Sequence, residues 1–233
     1  MSKIIKQGKV EQQKREALAA VDDYLNNLIR SNDDKKIKQT SLLSYWIKDY
    51  IKFLEKEETF EPGKLIKYTR GDIVKVHLGY GIGNEEGGLH YAVVVDKNNG
   101  KSSGIVTVIP LTSVRDKGTL HHAAVNIGTE IFTSIISKHD KLKNNLTIEF
   151  EKLQKDLIAQ QAIENKLKEL ELLRRAILRM KKGSVALVNQ ITTISKIRIY
   201  DPIYQYNVLY GVRLQPTTLD KINDKIKELY IKT

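Results

Sequence analysis

The chain has 233 residues, 41% of them hydrophobic, which suits one domain with appendages or two small domains and is ample for a buried core. It contains no cysteine, so disulfides and thiolate metal sites are excluded; Lys plus Arg exceed Asp plus Glu by 39 to 28, and the resulting charge of +11 suits a polyanionic partner. No run approaches the roughly 18 apolar residues of a membrane span, and the start MSKIIKQGKVEQQKRE lacks the apolar centre of a secretory signal, so a cytoplasmic protein without a membrane partner is expected.

Two helices are predicted first. Residues Val10 to Arg30 place Leu18, Val21, Leu25 and Leu28 at three- and four-residue steps, which makes one apolar stripe. A polar break over Ser31 to Gln39 follows. Thr40 or Ser41 is then the expected cap of a second helix, with Leu43, Ile47, Tyr50, Ile51 and Leu54 on one face and Pro62-Gly63 as its stop. Residues 1–66 therefore read as an N-terminal helical hairpin, and 67–233 as the main domain.

The main domain begins with strands. RGDIVKV alternates at period two, with Val74 and Val76 facing a core and Lys75 and His77 facing solvent. Five glycines between Gly79 and Gly88 then predict a flexible loop able to lie close to a ligand. Ala92 to Val95 reads as a strand buried on both faces, Asn98-Asn99-Gly100 as a hairpin turn, and Ile105 to Leu111 as the return strand. Gly100-Lys101-Ser102 is not a phosphate-binding loop, because Val95 stands where that motif needs glycine and no capped helix follows. Without a secretory signal, Arg70-Gly71-Asp72 has no reading as an adhesion motif.

His121-His122 precede an apolar stretch and read as surface histidines. From Thr129 to Lys182 there is neither Gly nor Pro, and Phe150, Leu153, Leu157, Ile163, Leu167, Leu170, Ile177 and Leu178 recur at near-helical spacing. This predicts one inserted helix over about 140–182, some 50 Å long, that projects from the domain, packs on the N-terminal hairpin or pairs with a second copy. Ile199 to Leu214 is tyrosine-rich and reads as a hairpin or loop with Asp201-Pro202 as a turn. A last helix over 217–231, capped by Thr217 or Thr218 after Pro216, carries Leu219, Ile222, Ile226 and Leu229 on one face.

The order RGDIVKV, the loop GIGNEEGG, AVVV and a strand ending PLTS resembles the MazF/PemK toxins of bacterial toxin-antitoxin systems. A second block, GSVALVNQITTISKIR over Gly183 to Arg198, is similar to that family's later strand. Together the two blocks cover a little over a third of the chain. The resemblance implies a mainly β, α+β fold built on an SH3-like antiparallel barrel of the MazF/PemK/CcdB type. It also implies a homodimer, a cognate antitoxin, and endoribonuclease activity on single-stranded RNA that needs neither metal nor cofactor.

By the same resemblance the catalytic pair falls on His90 and Thr112, and RNA contacts on Asn84, Gly87, Gly88, Ser113, Gln190, Thr193, Lys196 and Arg198. The chain departs from the family at four positions: His90 replaces an arginine, Tyr91 a proline, Asn189 a glutamate and Thr192 an arginine. Such chemistry removes a proton from the 2′-hydroxyl, returns one to the leaving 5′-oxygen, and holds the added phosphate charge with donors. A different class on the same fold is a non-cleaving interaction module, either a CcdB-like gyrase poison acting at DNA or an RNA-binding protein, with the inserted helix as its partner surface.

Overall fold

The structure, a computed structural model, describes residues 7–114, 120–152, 157–179 and 183–231. Its contacts divide the chain into two units, Met1–Leu54 and Glu55–Thr233. The first holds helices α1 (Gln7–Arg30) and α2 (Asp34–Glu57), the last turn of which runs into the second unit. The break between them is three residues long, shorter than the polarity of the sequence suggested. Lys35, Lys36, Lys38 and Gln39 are good helix formers, and Asp33 caps α2 by accepting from the Lys35 amide at 2.8 Å. Thr40, expected as the cap, lies inside the helix and donates to the Lys36 carbonyl at 3.0 Å.

The second unit is built on seven strands: β1 (Ile73–His77), β2 (Leu89–Val94), β3 (Ile105–Ser113), β4 (Ala124–Gly128), β5 (Ser184–Leu187), β6 (Thr192–Ser195) and β7 (Ile199–Asp201). They form one antiparallel sheet in the order β4-β5-β3-β2-β1-β7, with β6 also on β3. The long strand β3 pairs with β2 along one edge and serves two partners along the other. Its first half pairs with β6 over Ile105–Val108, its second with β5 over Leu111–Ser113, and Pro110, which has no N–H to give, lies between them.

The α+β class stands, but the sheet is not closed as a barrel would be. Between β6 and β7, Lys196–Arg198 coil as a 3-10 turn, so these neighbours in sequence make no ladder with each other.

Both faces of the sheet are covered. On one, Val74, Val76, Ala92, Val94, Val106 and Val108 gather around Tyr68 and Ile194. On the other, Ile73, Val93, Ile109 and Leu111 meet helical side chains. Each fully buried aliphatic side chain contributes about 1.5–3 kcal/mol relative to exposure. Double coverage explains why Lys75 and His77, expected in solvent, are half-buried.

The covering helices are α3 (Glu130–Lys152), α4 (Leu157–Arg179) and α5 (Pro216–Tyr230). The insertion is thus two helices that begin at residue 130, and not a single helix over 140–182. They run antiparallel, tied by Lys138 to Glu169 at 3.3 Å and by Lys166 to Glu149. Ile131 and Ile135 from α3 and Leu173 from α4 all enter the sheet core, so both ends of the insertion are anchored on the domain. Residues 153–156, between the two helices, lie outside the described residues.

Helix α5 starts with Pro216 at its first position, and neither Thr217 nor Thr218 caps it. The amide of Gln215 donates instead to Glu130 Oε1 at 2.8 Å, which joins the start of α5 to the start of α3. The β2–β3 link is likewise longer than a tight hairpin. Asn99 is buried in it and donates to Asp96 Oδ2 at 2.8 Å and to the Ile105 carbonyl at 2.9 Å.

Arg70-Gly71-Asp72 is structural. The Asp72 carboxylate accepts from the Thr69 amide at 2.7 Å and from Arg213 Nε at 2.8 Å. Gly71 has φ +90°, and a Cβ there would lie 2.9 Å from Leu219.

Candidate active site

Strand register brings the two predicted catalytic residues together. β1 pairs Val76 with His90, and β2 pairs Tyr91 with Leu111, so one step outward His90 lies opposite Thr112. Directly opposed residues present side chains to the same face with Cβ atoms about 5 Å apart. A pocket of about 140 Å3 opens there, lined by Leu89, His90, Tyr91, Leu111, Thr112, Ser113, Ile131 and Ser184. Ser113 and Ser184 are register partners across β3 and β5. One imidazole and three hydroxyls thus share an opening whose walls are otherwise apolar or aromatic.

The imidazole is held at both nitrogens. Nδ1 lies 3.3 Å from the Leu111 carbonyl and Nε2 lies 3.5 Å from Glu86 Oε2. Both neighbours are acceptors, so each tautomer of the ring can donate to one of them. His90 and Glu86 are each about a quarter exposed, at 28% and 27%, so the pair is open to a ligand on one side.

The glycine loop between β1 and β2 closes over this end of the sheet. Leu78 N donates to the Gly88 carbonyl at 2.8 Å, and Gly88 N donates back to the Gly79 carbonyl. The loop folds against itself so tightly that a Cβ on Gly87 would lie 2.7 Å from the amide nitrogen of Gly81. Gln190 ties the tip down: its Oε1 accepts from the Glu86 amide at 2.6 Å and its Nε2 donates to the Asn84 carbonyl at 3.1 Å. Asn84, Gly87 and Gly88 are not in the pocket lining, and the loop that carries them, expected to be flexible, is pinned at base and tip.

The remaining residues of the second block lie elsewhere. Thr193 is exposed on β6, with its hydroxyl 3.1 Å from that of Thr107. Arg198 Nε donates to the His77 carbonyl at 2.8 Å, bracing the end of β1. Lys196 is 1% exposed; its Nζ donates to the Gly100 carbonyl at 3.0 Å and lies 5.6 Å above the Tyr68 ring. Its ammonium points into protein, and burial pushes its pKa down, with Asp96 opposing. His121 and His122 are exposed, as expected, and do not line the pocket.

Two site residues were missed from the sequence. Glu86 was visible as a carboxylate four residues before His90. Ser184 carried no signal, because only the β3–β5 pairing brings it to Ser113.

Burial also perturbs the acids near the site. The Tyr91 phenol is pushed up by burial and then by the Asp201 carboxylate. Asp201 is itself pushed up by burial, against the Leu209 amide, Lys138 and Lys75, which all favour its charged form. Among the described residues no group of three or more His, Cys, Asp or Glu could hold a metal ion, and no helix is long and apolar enough to cross a membrane.

The fold is thus an antiparallel α+β domain with a pocket lined by side chains from β2, β3 and β5, beside a glycine loop. Residues 69–157 match the family model described as PemK-like, MazF-like toxin of type II toxin-antitoxin system. Over this segment, somewhat more than a third of the chain, it is similar to the MazF/PemK toxins. No curated protein matches the chain. The match runs from the residue before Arg70 to the start of α4, so it covers His90, Thr112 and the glycine loop; the second block lies outside it but is hydrogen-bonded into the same sheet.

Proposed function

We propose that this toxin is an endoribonuclease that cleaves single-stranded RNA without a metal ion. The observation that carries this reading is the meeting of His90 and Thr112 in one pocket, on adjacent strands and 22 positions apart in the chain. In the reaction the 2′-oxygen attacks the adjacent phosphorus, the bond to the 5′-oxygen breaks, and a cyclic phosphate and a 5′-hydroxyl result. One proton leaves the 2′-hydroxyl and one reaches the 5′-oxygen; His90 Nε2 is the group in the pocket able to transfer it. The hydroxyls of Thr112, Ser113 and Ser184 donate to phosphate oxygens, and the imidazole stands where family members place a guanidinium.

Two further readings go with this one. The protein acts as a homodimer, supported by the exposed Ile82, Leu89 and Ile105 around the loop and the sheet. Its antitoxin carries an acidic segment that is attracted by the +11 charge and folds on binding.

Purified protein incubated with single-stranded RNA in excess EDTA tests the reaction. Fragments ending in cyclic phosphate are expected. Intact RNA over a full titration of protein would transfer the domain to the non-cleaving class.

A further inference from the structure

Gln190 is one of the residues that resemblance assigns to RNA, yet both ends of its side-chain amide are already engaged. Its oxygen accepts from the Glu86 amide at 2.6 Å and its nitrogen donates to the Asn84 carbonyl at 3.1 Å. These contacts join residues more than a hundred positions apart, and they fix the one loop segment whose carboxylate faces His90. Glu86 has a pinned amide and a side chain that reaches His90 Nε2 at 3.5 Å. His90 in turn reaches the Leu111 carbonyl at 3.3 Å, beside Thr112.

We propose that Gln190 and Glu86 are positioning residues: Gln190 fixes the loop, the loop places the Glu86 carboxylate, and the carboxylate orients the His90 ring. The assignment rests on the ribonuclease reading for its function but not for its geometry. It explains how a histidine replaces an arginine at this position. A guanidinium brings its own charge and fork of donors, whereas an imidazole carries charge only while protonated and needs a partner to set its orientation. The Glu86 carboxylate supplies that partner.

The groups around His90 leave Glu86 as its acidic partner. From β1 the residue opposite is Val76; from β3 the pocket receives Leu111, Thr112 and Ser113, from β5 Ser184, and from α3 Ile131. Within the pocket lining only Tyr91 titrates besides His90 itself, and its phenol is neutral at ordinary pH because burial pushes it up.

The test uses the full chain with its histidines labelled with nitrogen-15. At fixed neutral pH, E86Q should move the ring nitrogen shifts of His90, and Q190A should move them in the same direction, while T193A leaves them in place. Kinetically, Q190A and E86Q should lower kcat on the order of 10-fold to 100-fold with KM little changed. Q190E, which keeps the acceptor for the Glu86 amide, should recover part of the loss. If Gln190 instead reads RNA, Q190A will raise KM or change the cleaved sequence and leave the His90 ring signals of the free protein untouched, and the proposal is overturned. The ring shifts are read without RNA, so a protein that cleaves nothing still decides the positioning claim, while cleavage by wild type decides the ribonuclease reading separately.

Discussion

In the proposed reaction His90 is the residue on which the chemistry turns, because it brings the pocket its one imidazole. H90A should lower the cleavage rate on the order of 100-fold or more. H90Q, which keeps a donor but cannot carry the charge, should be about as poor. Denaturation midpoints for both variants are expected near wild type, since the side chain is partly exposed and bonded only at its rim. Full activity in either variant removes His90 from the mechanism. Lys196 makes a different prediction. Its pKa is lower in the folded chain than in the unfolded one, so between the two values the unfolded chain binds more protons and stability rises with pH. The contribution is present above the unfolded value and lost as pH falls through the folded one. Urea titrations from pH 8 to pH 11 should show this rise in the wild type, and K196M should flatten it. An unchanged slope would mean that the ammonium is hydrated. His90 and Thr112 were legible because both sit in a recognisable run of residues. Glu86 was not, since a carboxylate in a glycine loop has no assigned partner until the loop is closed.

At the scale of elements, the two helices of the insertion depend on a few anchors. Leu173 is fully buried in the sheet core, whereas Leu178, one turn further on the same helix, is 76% exposed. L173A should therefore cost about 2–5 kcal/mol, and L178A within about 0.5 kcal/mol of nothing, as read from urea midpoints. Similar losses at both positions would mean that α4 leaves the sheet in solution. The strands were legible from their alternation and their β-branched runs, and α5 from its stripe of Leu219, Ile222, Ile226 and Leu229. Periodicity could not divide α3 from α4, because no glycine or proline marks the division. The helices separate because Ile131, Ile135 and Leu173 must all reach one core, a requirement that a local window does not contain.

For the whole molecule, the charge of +11 predicts binding that is strongly dependent on salt. The logarithm of RNA affinity should fall linearly with the logarithm of salt concentration, with a slope of about −0.7 for each phosphate contacted on a single strand. A flat dependence between 50 and 300 mM salt would show that the charge is not used on RNA. Sedimentation at micromolar concentration should give about twice the 26.6 kDa chain mass. A monomer mass would remove the second copy from the RNA site and leave one pocket to act alone.

The sequence by itself determined the resemblance to the MazF/PemK toxins, the alternation of the strands, the helical character of both appendages and the identity of the two residues facing each other in the pocket. All of these are written in local patterns of two to ten residues. The tertiary structure alone decided that the sheet stays open, because Lys196–Arg198 coil where a ladder would have closed it. It also turned two supposed RNA contacts inward, Lys196 onto the Gly100 carbonyl and Gln190 onto the glycine loop. The physical reason is the same in each case: a polar side chain is committed by whichever unsatisfied donor or acceptor the folded chain places beside it, and that neighbour is about a hundred residues away.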